Sequence, residues 1–157
     1  MSVRDDGVRP PRWPDVSSQI PHRPPLLLVD RIVRFADGEL VCGGVLPGYD
    51  RDGRAAVAPP FLALELAAQT AAVMAALEGG DVPGAGKIGA GKFGYLAAIR
   101  EARFLTPVVP AGRRLLAAVR AAGRMPPLST YSVKVTLEDG AAELVTASLS
   151  TYLAPSL

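Results

Sequence analysis

Few side chains in this 157-residue chain can do acid, base or nucleophile chemistry, and their positions narrow it further. His22 is the single histidine, so no site can draw two imidazoles from one chain, and His22 is the only conventional imidazole acid/base. Cys42 is the single cysteine, which excludes an intrachain disulfide framework and a Cys-rich zinc site. It follows a strand-like run and reads as inert packing, since a nucleophilic thiol needs a base close by. Carboxylates remain. Glu65 and Gln69 stand four apart in an otherwise apolar stretch and so share one helical face. An unpaired buried carboxylate is costly, so Glu65 needs a partner, and Arg51 or Arg54 would supply a fold-stabilising pair. Gln69 reads as a structural partner of Glu65 or of a backbone carbonyl. Tyr49, Asp50, Arg51 and Asp52 cluster in a polar loop between Leu46 and Pro59. Loops of this kind carry function more often than regular elements do, although a solvated turn has the same composition. Gly84 to Lys92 superficially suggests a phosphate loop. Ile88 and Phe93 stand where GxxxxGK requires Ser or Thr, so a flexible linker is expected.

These residues need a frame. Pro10, Pro11 and Pro14 mark residues 1–16 as an N-terminal arm, ordered if at all around Trp13. Ser17 or Ser18 would cap one short helical turn before Pro21. Pro24-Pro25 bars a helix, and Leu26 to Val29 then reads as an extended buried run. Asp37-Gly38 is a strong two-residue hairpin signal with Glu39 to Val45 as the return strand. The longest helix starts at Pro59-Pro60 and stops at Gly79-Gly80. Its apolar residues cover nearly every face, which marks a buried helix, and its alanines let a sheet come close. Strands are expected over about 92–105, 113–123, 128–137 and 142–153, with a hairpin at Glu138-Asp139-Gly140. Arg113 to Ala122 has helical propensity, a weak prior that tertiary context overrides. One long helix with five to seven antiparallel strands gives an α+β domain over residues 17–157.

Composition agrees with one soluble domain. The apolar share of 49% rules out wholesale disorder, and a net charge of +2 does not suggest nucleic-acid binding. The N-terminus has charges and prolines where a signal peptide needs an apolar run. Phe61 to Leu77, broken by Glu65, Gln69 and Thr70, reads as a core helix rather than a membrane span. A cytoplasmic location with Cys42 reduced is the expectation.

Three linked motifs resemble one family. PHRPPLLLVDR at 21–31, PPFLALELAAQ at 59–69 and EARFLTPVVP at 101–110 are similar, in order and spacing, to the β-hydroxyacyl-ACP dehydratases of the FabZ/FabA type. YDRDG at 49–53 and VPAG at 109–112 look closer still to the ApeP-like members of aryl polyene and related pathways. The resemblance implies a hotdog fold, an antiparallel sheet wrapped around one central helix. It also implies a homodimer, or a heterodimer with another hotdog protein, with an acyl tunnel at the interface.

In that family a loop histidine removes the α-proton of a 3-hydroxyacyl thioester. A helix carboxylate helps the hydroxyl leave as water, and a helix N-terminus polarises the carbonyl. Here the helix acid is present as Glu65, but counting back from Pro59 puts Arg51 where the histidine should be. Arginine is always protonated and cannot be that base. Asp50 or Asp52 would have to serve, helped if burial raises its pKa. His22 falls in the motif the family keeps outside its catalytic pair and reads as structural. The implied substrate-binding residues are Tyr49, Arg51, Gln69, Ala98 and Arg100. Some of Arg100, Arg103, Arg113 and Arg114 would suit the acidic surface of an acyl carrier protein bearing the substrate on phosphopantetheine, or else guard a strand edge. No metal, cofactor, nucleic acid or membrane partner is expected. Two further readings stand beside the dehydratase. One is a non-catalytic or acyl-binding partner of a His-containing relative. The other is a thioesterase in which Glu65 activates water.

Overall fold

A computed structural model describes residues 12–48, 56–79 and 94–154. Eight strands and one helix form in chain order: β1 (Val29–Ala36), β2 (Glu39–Val45), β3 (Val57–Ala58), α1 (Phe61–Gly79), β4 (Gly94–Phe104), β5 (Val109–Pro110), β6 (Arg114–Met125), β7 (Leu128–Leu137) and β8 (Glu143–Leu153). Six of the strands make one antiparallel sheet in the order β1-β2-β6-β7-β8-β4. β3 and β5 pair separately. The sheet packs its inner face on α1, which is the α+β hotdog arrangement.

Local chemistry accounts for most of these elements. Asp37 and Gly38 both adopt positive φ (54° and 72°), which a two-residue hairpin between paired Ala36 and Glu39 requires. Gly140 likewise turns β7 into β8 at φ 75°. Ala63, Ala67 and Ala71 of α1 are fully buried, as are Leu66, Val73 and Met74. α1 is long and apolar enough to cross a membrane by length and composition, but ten of its residues are buried in this fold.

Close approach has a specific cause. A Cβ on Gly44 of β2 would lie 2.4 Å from the Leu28 carbonyl oxygen and 2.6 Å from Leu66 Cδ1. Glycine there lets the segment before β1 and the first turns of α1 meet over the sheet.

Two local expectations change. The short turn Val16–Ser18 is capped by Asp15, whose carboxylate accepts from the Ser17 N–H, rather than by Ser17 or Ser18. Leu26 to Leu28 do not extend β1. Leu26 and Leu27 donate to the Arg23 carbonyl in a turn, and β1 begins at Val29. Arg114 to Met125 forms the expected strand despite its helical propensity, because it pairs on both sides, with β2 and β7.

Candidate functional site

Gln69 is the organising residue. It is 1% exposed, so each of its polar atoms needs a partner. Its Oε1 accepts from the Leu28 N–H (2.9 Å) and the Val29 N–H (3.4 Å). Its Nε2 donates to the Leu26 carbonyl (2.7 Å) and to Glu65 Oε1 (3.0 Å). The backbone N–H groups can only donate, so the amide orientation is fixed by chemistry. The helix thereby satisfies the backbone of a turn that no strand satisfies, and the same side chain grips Glu65 one helical turn earlier.

Glu65 is different from its neighbours on α1. Its side chain is 42% exposed on a helix whose flanking residues Leu64 and Leu66 are buried. His22 Nε2 lies 3.6 Å from the same Oε1. The ring is carried by a turn that Arg23 pins, its guanidinium donating to the carbonyls of Ile20 (2.9 Å) and His22 (2.7 Å). His22, Glu65 and Gln69 therefore form one cluster at the N-terminal end of α1.

The motif around His22 reads as structural and apart from the acid. The structure brings it to Glu65. The available signal was the buried glutamine, whose partners had to come from non-helical backbone such as the proline-bounded stretch after His22.

The other candidates are distributed as follows. Tyr49, Asp50, Arg51 and Asp52 lie outside the described residues, as does Arg54. Ala98 and Arg100 are on β4, opposite Ser150 and Ser148 of β8. Opposed residues share a face, and the alternating Val145, Ala147 and Leu149 are the ones buried toward α1. Ala98 and Arg100 thus lie on the outer face, across the sheet from Glu65 of the same chain. A shallow cavity of about 580 Å³, lined by Arg103, Arg120, Lys134 and Ser148 among others, is on that outer face too. It is not the Glu65 site. No group of three His, Cys, Asp or Glu side chains that could hold a metal occurs among the described residues.

Cys42 is fully buried, and desolvation pushes its thiol up to about 12 against a smaller opposing influence of the Thr70 hydroxyl. It packs and does not react.

Residues 14–157 match the family model of the ApeP-like proteins, described as ApeP dehydratase. This chain belongs to the ApeP dehydratase family. Among curated proteins it is 33% identical over 114 residues to the 3-hydroxyacyl-acyl-carrier-protein dehydratase FabZ of Blochmanniella floridana, covering 65% of this chain and 68% of the relative. Among solved structures it is similar to the dehydratase heterocomplex ApeI:P from Xenorhabdus doucetiae, with a TM-score of 0.71, 21% identity, and 92% of this chain and 93% of that one covered. It also resembles a thioesterase from Pseudomonas aeruginosa, with a TM-score of 0.58, 16% identity, and 80% and 81% covered. At those identities the structures establish the hotdog fold. The family model and FabZ place the ApeP-family chain among dehydratase-like hotdog proteins.

Proposed function

We propose that this chain supplies Glu65 as the helix carboxylate of a 3-hydroxyacyl thioester dehydratase site that a second hotdog subunit completes. The substrate would be carried on the phosphopantetheine arm of an acyl carrier protein. The observation that carries this reading is the state of Glu65: a half-exposed carboxylate, held by a buried amide one turn on, at the N-terminal end of a largely apolar helix.

The reaction is β-elimination of water. A base takes the α-proton, the electron pair forms the α,β double bond, and the C–O bond breaks. Glu65 in its acid form gives its proton to the departing hydroxyl. This chain has no histidine in its 49–54 loop, so the α-proton goes to Asp50 or Asp52 in a homodimer, or to an imidazole of another hotdog protein in a heterodimer. The strand β4 supports such a joint. It is one of the two edges of the sheet, paired among the described residues only with β8, and exposes Tyr95, Leu96, Ile99 and Phe104. The similarity to the dehydratase heterocomplex ApeI:P supports the arrangement with a second protein.

The test is purified chain with a 3-hydroxyacyl carrier protein, alone and mixed with candidate hotdog dehydratases, read by mass spectrometry. Enoyl product that disappears in Glu65→Gln is the expected result. No enoyl product in any combination overturns the proposal. Free thiol in place of enoyl product would reassign Glu65 to thioester hydrolysis.

A further inference from the structure

We infer that His22 is a positioning residue that, together with Gln69, turns Glu65 Oε1 toward N–H donors and so makes Oε2 the oxygen that carries the transferable proton. The inference rests on the reading of Glu65 as the dehydratase acid and goes beyond it by assigning an atom and a second residue.

The geometry runs from the backbone outward. The N–H groups of Leu28 and Val29 fix Gln69 Oε1, which leaves Gln69 Nε2 facing Glu65 Oε1 at 3.0 Å as a donor. His22 Nε2 faces that same oxygen at 3.6 Å, within ion-pair reach and longer than a hydrogen bond. The other ring nitrogen, Nδ1, is buried and has no partner among the described residues. A neutral ring with its proton on Nδ1 would be wrong twice. It would strand a buried N–H, and it would aim the bare Nε2 lone pair at a carboxyl oxygen that already accepts from Gln69. A proton on Nε2 avoids the second fault in either charge state of the ring.

One hydrogen bond, from Gln69 Nε2, and the His22 ring at ion-pair distance then face Oε1. In the neutral carboxyl group, the oxygen that accepts from Gln69 and faces the ring is the carbonyl oxygen, so the proton resides on Oε2. Among the described residues Oε2 has no protein donor, and it is the atom left to meet a substrate hydroxyl. Arg23 keeps the arrangement by holding the turn through its bonds to Ile20 and His22. It is the one cation beside the ring in sequence, and its guanidinium is turned to carbonyls rather than to Glu65.

Long-range proton–nitrogen NMR of the whole chain tests this without substrate. The expected spectrum has His22 protonated at Nε2, with that resonance displaced in Glu65→Gln. A neutral ring protonated at Nδ1, or an Nε2 resonance unmoved by Glu65→Gln, overturns the inference. Because these signals come from the protein alone, a failed dehydration assay with intact signals would count against the proposed function and not against the role of His22.

Discussion

Gln69 Nε2 donates to Glu65 Oε1 across one turn of α1, at 3.0 Å, while its own Oε1 holds the backbone of Leu28. One amide therefore has two jobs, and substitution should separate them from the job of Glu65.

Gln69→Ala leaves the buried Leu28 N–H without its partner and removes the donor to Leu26 as well. The expected cost is about 2–4 kcal/mol, seen as a fall of roughly 5–15 °C in Tm. Glu65→Gln keeps an acceptor facing Gln69 at a half-exposed position, so it should change stability by less than about 1 kcal/mol. Dehydration by the assembled enzyme should nevertheless fall by about 10²–10⁴-fold, the usual contribution of a general acid. Thermal melts and product formation, measured on both variants, check the split. Equal destabilisation by both would make Glu65 a structural residue.

Gly44→Ala should disturb the same site from the sheet side. The new Cβ would stand 2.4 Å from a backbone oxygen of Leu28, which cannot swing away as a flexible side chain can. The expected loss is about 1–3 kcal/mol, with the backbone of 26–29 displaced from Gln69. Hydrogen exchange at the Leu28 amide should accelerate more than exchange at amides of β7. Uniform acceleration would point to general loosening instead.

Much of this frame can be read from the residues. Pro59-Pro60 and Gly79 bound α1, Asp37-Gly38 makes the first hairpin, and five of the expected strands form close to their expected limits. These signals are local, arising from fixed φ values and the period of apolar residues. What escapes is what depends on distant partners. Leu26 to Leu28 look extended because they are apolar, yet the Leu28 N–H is spent on a glutamine 41 residues away. His22 looks structural because its motif is remote in sequence from Glu65, and only folding of the 20–29 turn onto α1 brings them together. Ala98 and Arg100 follow from likeness to a family site, and β4 carries them on the outer face of the sheet, away from the Glu65 of their own chain.

Cys42 makes a prediction about pH. Burial raises its thiol from an ordinary 9.0 to about 12, so the folded protein keeps a proton there that the unfolded chain releases. Its contribution to stability is full below pH 9 and is lost as pH rises from about 9 to 12. Cys42→Ala should therefore show a shallower fall in stability between pH 8.5 and about 10.5 than the wild-type chain, measured by urea unfolding. Lys and Tyr titrate in the same range in both proteins and cancel in the comparison. A thiol reagent should label Cys42 only at the rate of unfolding. Parallel stability curves, or rapid labelling of the native protein, would show that the thiol is not sequestered.

The sheet edge yields the remaining prediction. Ile99 and Phe104 of β4 oppose Leu149 and Val145 of β8, which are fully buried on the α1 side. Ile99 and Phe104 share that inner face and are nevertheless 44% and 46% exposed, because α1 does not extend over the edge. A second subunit that pairs with β4 would cover them. Ile99→Lys places a charge at that seam without touching the pairing of β4 with β8. Sedimentation velocity should show loss of the dimer, formed with itself or with a hotdog partner, while circular dichroism remains native. Dehydration should vanish with the dimer, although Glu65, Gln69 and His22 are all unchanged. Undiminished association in Ile99→Lys would move the joint to another surface and leave the half-exposed apolar face of β4 without an occupant.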